Sequence, residues 1–434
     1  MASKLSKTTK VSKEEFALIR KKDKEFPLTK SQVEDIIKIY PTPWDIYDER
    51  GIRETMRNLN NEFAWAPGFK NYFAFKALSN HHILKIIHEE KGGADCSSMT
   101  ELRLSSERAG VTGEDIMFTS NDTPPAEFRK ARELGAIINL DDIKHIQAME
   151  GVTGIPPVIC FRYNPGKLRE GNPIIGKPED SKYGFTKRQL FEGYRIMKKK
   201  GVKRFGLHTM IASNELDPNY FIETANMLFD LVAEISAKVG ITFEFVNMGG
   251  GIGTPYRPDQ VPVDLHIVSE GVRNAYQRTI MRNGLYPLKI FMENGRCITG
   301  PHGWLVTTVL HLKHIYKDYI GVDSCLADQP RTGLYGAYHH ITPLGKERLA
   351  RTHKYDVTGS LCENNDRLAK DIMLPKIETG DRLAVHNTGA HSRVMGSNYN
   401  GKPRCGELLR RLDGSVKMIR RQETYEDIIA TLVD

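Results

Sequence analysis

At 434 residues, 40% of them hydrophobic, the chain exceeds the size at which one core stops growing, so two domains are expected. No apolar stretch is long enough to span a membrane and the lysine-rich start, Met1 to Lys30, lacks the apolar segment of a secretory signal, so the chain reads as cytoplasmic with no membrane role. A formal charge of +8 is dispersed along the whole length, which argues against nucleic acid, and Cys96, Cys160, Cys297, Cys325, Cys362 and Cys405 show neither a C-x-x-C pair nor metal-ligand spacing, so neither a disulfide framework nor a metal is expected.

Residues 1–43 form an N-terminal segment whose Thr9–Lys38 stretch is expected to pack on the second domain. From Trp44 to Pro301 short apolar runs alternate with amphipathic ones. Asn71–Phe75, Ile116–Phe118, Ile137–Leu140, Pro157–Tyr163, Arg204–Leu207, Phe243–Asn247 and Lys289–Met292 read as strands. His81–Glu90, Pro124–Glu133 and Pro218–Val239 read as helices between them. Repeated strand–helix units imply a parallel sheet, and seven or eight close most simply as an α/β fold of the TIM-barrel type over 44–301, with its chemistry at the carboxyl ends of the strands. Gly166–Lys182, polar and rich in Gly and Pro, is expected to be a mobile loop. After Pro301 the character changes: His302–Tyr319 alternates with many β-branched residues, and Asp356–Cys362 and Asp381–His386 read as strands, so 302–434 is expected to be a mainly β domain, sandwich- or barrel-like.

Lys76 ends the apolar run Tyr72-Phe73-Ala74-Phe75, and an amine at a strand end can form an imine with pyridoxal 5'-phosphate. That cofactor also needs a partner for its ring nitrogen and donors for its phosphate. Glu293, after the strand Lys289–Met292, supplies a carboxylate for the first. For the second, Gly249-Gly250-Gly251-Ile252-Gly253 follows a strand, where glycines let consecutive N–H groups turn toward a phosphate; Gly295 and Arg296 are placed to complete the cradle.

This combination resembles the alanine-racemase-like, fold type III pyridoxal-phosphate decarboxylases. Ala94-Asp95-Cys96-Ser97, Phe161-Arg162-Tyr163-Asn164-Pro165-Gly166, Ser181-Lys182-Tyr183-Gly184 and Leu334-Tyr335-Gly336-Ala337-Tyr338-His339 extend the likeness over nearly the whole chain. The resemblance implies that Lys76 carries the cofactor, that Asp95 lies near it, and that Gly250, Gly251, Glu293, Asn294, Gly295 and Arg296 hold it, with Asn294 standing where the family has proline. It further implies a homodimer with shared active sites, in which Cys362, in Cys362-Glu363-Asn364-Asn365-Asp366, reaches the other subunit's cofactor as the proton donor. Two departures stand out. Met210-Ile211-Ala212-Ser213 occupies the place of the family's His-Ile-Gly-Ser, leaving either His208 or Met210 to take over from the histidine that stacks on the ring, with Ser213 matched. Thr388-Gly389-Ala390-His391 occupies the place of Ala-Gly-Ala-Tyr, leaving either His391 or Tyr399 to bond the phosphate.

Arg331 and Tyr335 match the family members that decarboxylate diaminopimelate, in which an arginine binds the distal carboxylate and the tyrosine assists; Glu363 would accept the distal ammonium and Arg296 is a further contact. An ornithine-type substrate has no such carboxylate, and a buried arginine without one is costly. The expected reaction is meso-2,6-diaminopimelate to L-lysine and carbon dioxide. The alternatives are a decarboxylase of another basic or polyamine-like amino acid, such as ornithine, lysine or carboxynorspermidine, and, from a different class, a non-catalytic regulatory homologue that keeps the barrel. Retention of both Lys76 and Cys362 speaks against the last.

Overall fold

The computed structural model describes residues 25–433 apart from 172, 173 and 175. The first strand, β1 (Trp44–Asp48), is followed by eight parallel strands that close into a barrel: β2 (Lys70–Ala74), β3 (Gly93–Cys96), β4 (Ile116–Thr119), β5 (Ile137–Leu140), β6 (Val158–Tyr163), β7 (Arg204–Thr209), β8 (Phe243–Asn247) and β9 (Lys289–Met292). Closure is made by β9 on β2, with Lys70 opposite Phe291 and Asn71 opposite Met292. Most positions of these strands are buried, because helices cover the outside while side chains fill the inside. Tyr72, Met117, Ile137, Val158, Cys160, Phe245 and Phe291 form a separate apolar plug within the barrel. Polar Asn139, His208 and Asn247 sit near the carboxyl ends of their strands, all buried.

Strand β3 is absent from the elements expected from sequence. Gly-Ala-Asp-Cys has no β-branched residue, and its extended form comes from pairing with β2 and β4 on either side.

The second domain is a nine-stranded sheet. It contains β10 (Gly303–His314), β11 (Asp318–Val322), β12 (Ile341–Pro343), β13 (His353–Thr358), β14 (Arg367–Leu374), β15 (Arg382–His386), β16 (Gly406–Arg410) and β17 (Val416–Arg420). Strand β1, grouped by sequence with the barrel, belongs here instead: it pairs antiparallel with β10 and parallel with β16. Trp44 and Ile46 explain the placement, since both bury with Trp304, Val306 and Leu408 rather than with the barrel helices. The expected strand Asp356–Cys362 begins three residues earlier and stops at Thr358, leaving Cys362 in a bend. The alternating stretch His302–Tyr319 is broken by a turn at 315–317.

Of the N-terminal stretch Thr9–Lys38, residues up to 24 lie outside the described residues. The helix Lys30–Ile39 starts at a capping box between Thr29 and Gln32 and buries Val33 and Ile36 against Trp44, Trp304 and Ala384 of the β-domain.

Candidate active site

Lys76 lies in a single helical turn, Phe75–Ala77, immediately beyond β2. Its Nζ is 3.8 Å from Oδ2 of Asp95, which projects from the neighbouring β3. Burial, reinforced by the negative charge of Glu293, pushes the Asp95 carboxyl well above the usual range. The lysine turn is also tied to the second domain: His391, in a loop after β15, donates its backbone N–H to the carbonyl of Ala77 at 2.8 Å. His391 has φ of 57°, an uncommon conformation for a residue with a side chain, and burial together with the charges of Arg296, Arg331 and Lys76 keeps its imidazole neutral, well below the usual pKa.

Glu293 follows β9 and is fully enclosed. Asn247 donates to Oε1 at 2.8 Å and His208 Nε2 lies 3.1 Å from Oε2. Asn139 Nδ2 lies 2.6 Å from His208 Nδ1, and since an amide nitrogen donates, Nδ1 is the acceptor and Nε2 carries the proton given to Glu293. Burial pushes the Glu293 carboxyl up, but His208, Lys76 and Arg162 outweigh it and hold it below the usual range. His208 is thus a partner of the carboxylate; Met210, two residues on, is half-buried near the glycine run.

That run needs glycine. At Gly249 and Gly251 φ is 70° and 103°, and a Cβ at Gly250 would lie 2.2 Å from the carbonyl of Glu293. The N–H of Gly250 is directed at Met210 Sδ, 3.2 Å away, so the sulfur sits against the cradle. Asn294 has a local role that proline could not take: its N–H donates to Asn71 Oδ1 at 2.9 Å while Asn71 Nδ2 donates back to its carbonyl at 3.1 Å.

Beside this lies a cavity of about 690 Å³ lined by Ser213, Tyr256, Arg296, Arg331, Tyr335 and His391, among others. Arg296 Nη1 donates to Tyr256 Oη at 2.9 Å and Nη2 to Ser213 Oγ at 3.3 Å, while its buried Nε has no partner. Arg331 is buried and Tyr335 is 55% exposed. The structure therefore brings Ser213, Arg296, Arg331, Tyr335 and His391 to one cavity, and sets Lys76, Asp95, His208, Gly250, Gly251, Glu293, Asn294 and Gly295 at the barrel mouth. It does not bring Cys362, Glu363 or Tyr399 to that cavity within one chain. All three are exposed, on two loops joined where the Cys362 N–H donates to Asn400 Oδ1 at 2.7 Å. Tyr256, Asn247 and Asn139 were missed from sequence. The last two lie at or next to the carboxyl ends of their strands, β8 and β5, a pattern that strand periodicity could flag.

A strand-end amine, a buried carboxylate kept ionised, a glycine run in which a Cβ has no room and an arginine with an orphaned Nε together fit pyridoxal phosphate. The comparisons agree. Residues 49–300 match the family profile of the pyridoxal binding domain of pyridoxal-dependent decarboxylases. The chain belongs to that family.

Among its relatives it is similar to Protein TabA of Pseudomonas amygdali pv. tabaci, 38% identical over 93% of each chain. It is likewise similar to diaminopimelate decarboxylase of Methanothermobacter thermautotrophicus, 33% identical over 90% of this chain and 91% of that one. Diaminopimelate decarboxylase from Helicobacter pylori, solved with L-lysine, superposes with a TM-score of 0.82 at 28% identity, covering 92% of this chain and 98% of the other. Among the described residues no helix is long and apolar enough to cross a membrane, and no group of three His, Cys, Asp or Glu side chains is placed to hold a metal ion.

Proposed function

We propose that the chain decarboxylates meso-2,6-diaminopimelate, releasing carbon dioxide and leaving L-lysine. The observation that carries the reading is Arg331, a buried guanidinium with no carboxylate partner among the described residues, facing the cavity beside the lysine turn. A ligand with a second carboxylate neutralises it; ornithine or lysine, reacting at their one carboxylate, do not.

Pyridoxal phosphate, when bound, supplies the electron sink that accepts the pair left by the departing carboxylate. Lys76 would hold it through its amine, Glu293 would serve its ring nitrogen, and Gly250, Gly251, Gly295, Arg296, Ser213 and His391 would hold its phosphate. Met210, whose sulfur lies against Gly250, is the side chain offered to a ring face. Arg331 and Tyr335 orient the distal carboxylate. Cys362 of the partner subunit delivers a proton from Sγ to the carbon that lost carbon dioxide, and Glu363 of the partner subunit receives the distal ammonium. The exposure of both, away from their own cavity, supports a homodimer whose sites are completed in trans. Six free cysteines suit a cytoplasmic setting.

A second reading, decarboxylation of another basic or polyamine-like amino acid, shares every residue role except the distal pocket around Arg331. Carbon dioxide release from meso-diaminopimelate, lysine, ornithine, arginine and carboxynorspermidine separates the two. Diaminopimelate should be turned over at least an order of magnitude faster than the rest; faster release from any monocarboxylate would replace the proposal with the second reading.

A further inference from the structure

Arg331 is held entirely by neutral groups. Its Nη1 donates to His339 Nε2 at 2.9 Å, and its guanidinium lies 4.4 Å over the ring of Tyr256. His339 is itself fixed: His339 Nδ1 is 2.8 Å from the backbone carbonyl of His386 in β15, so Nδ1 carries the proton and Nε2 presents its lone pair to the guanidinium. Gln329 Nε2 lies 3.1 Å from the same nitrogen and shares its one lone pair with the closer guanidinium. His339 and Tyr256 pack edge to face with ring centroids 5.0 Å apart, which closes the assembly into a buried triangle. Burial, with the charge of Arg331 beside it, drops the His339 imidazole to about 3, so it stays an uncharged acceptor at any working pH.

The chemical consequence lies in what His339 is not. An aspartate or glutamate at this point would also hold the guanidinium, but would neutralise it and leave nothing for a ligand carboxylate. A neutral imidazole orients the fork and leaves the positive charge uncompensated.

We propose that His339 is the positioning residue for substrate specificity: through its Nε2 bond it aims Arg331 at the distal carboxylate while leaving the charge of that arginine free. This rests on the reading of Arg331 given above.

The test uses full-length holoenzyme and three variants. His339→Leu removes the acceptor and should raise KM for meso-diaminopimelate roughly 10- to 100-fold, the range of a hydrogen bond to a charged group, with kcat and the absorbance of the bound cofactor little changed. His339→Gln, able to accept from Arg331 and donate to His386, should restore KM to within about 3-fold of wild type. In the Arg331→Ala background, His339→Leu should add nothing further, because the residue acts through the arginine. An unchanged KM in His339→Leu, or additive losses in the double variant, would overturn the positioning role. Should the leucine variant prove insoluble, His339→Asn, too short for both bonds, carries the same expectation and the same refutation. If Arg331→Ala alone leaves the preference for diaminopimelate intact, it is the substrate reading that fails, and the two failures are told apart.

Discussion

The two ends of the site handle charge in opposite ways. Around Glu293 the charge is matched from within: His208 and Asn247 donate to its two oxygens, and Lys76 and Arg162 add positive potential. Around Arg331 and Arg296 two buried guanidiniums rest on a tyrosine, a serine and an imidazole, with no carboxylate among the described residues to offset them. A folded chain bears such an unmatched pair at a cost, and burial lowers the Arg331 pKa accordingly. The Glu293 end is complete within the chain, whereas the Arg331 end is left with positive charge that an anionic ligand would match.

The largest losses are expected at the paired end. Lys76→Ala removes the amine proposed to carry the cofactor, and turnover should fall on the order of 10⁴-fold or more, with loss of the bound cofactor's absorbance. A variant that keeps the absorbance would place the anchoring amine elsewhere. Glu293→Gln preserves shape and removes the charge that His208 and Asn247 serve; kcat should fall roughly 10²- to 10³-fold, the scale of one preorganised electrostatic contact. Turnover within 3-fold of wild type in steady-state kinetics would show that this charge has no catalytic part.

Complementation probes the interface. Mixing inactive Lys76→Ala with inactive Cys362→Ala should restore roughly a quarter of wild-type activity after random exchange, half the dimers being mixed and each mixed dimer carrying one complete site. Demonstrated subunit exchange with no regained activity would refute sites completed in trans. A further effect is on stability rather than turnover. The folded pKa of His339 lies below its unfolded value, so the unfolded chain binds more protons as pH drops, and this residue costs stability progressively from about pH 6.5 down to about 3. His339→Gln should flatten the pH dependence of unfolding by up to about 1.4 kcal/mol per pH unit in that window. Parallel curves for the two proteins would mean that the imidazole is not held neutral.

The paired end was largely legible in the sequence because its parts are local. A lysine closing an apolar run, a glycine run after a strand and a glutamate at a strand end each announce themselves within a few residues. Asn294 stands where the family has proline, and its N–H bond to Asn71 is one that proline could not make; nothing near position 294 reveals a partner 223 residues away. The unpaired end was harder. Tyr256 comes from the barrel, while Arg331 and His339 come from the second domain, and the triangle they form exists only once the two domains are packed together. Met210 and His391 were visible as departures, but what each faces was not: the sulfur turns to Gly250, and the backbone of His391 to Ala77. Strand β3 escaped because its extended form is imposed by neighbours rather than by its own residues.

The central claim, that the uncompensated guanidinium of Arg331 reads a distal carboxylate, is tested most directly by the kcat/KM of Arg331→Ala for meso-diaminopimelate, at matched cofactor occupancy, with lysine turnover as the reference. Losing a charge-assisted, two-point bond worth about 2–4 kcal/mol should lower the value for diaminopimelate roughly 30- to 1000-fold and that for lysine far less. An Arg331→Ala enzyme with an unchanged preference for diaminopimelate over lysine would contradict it.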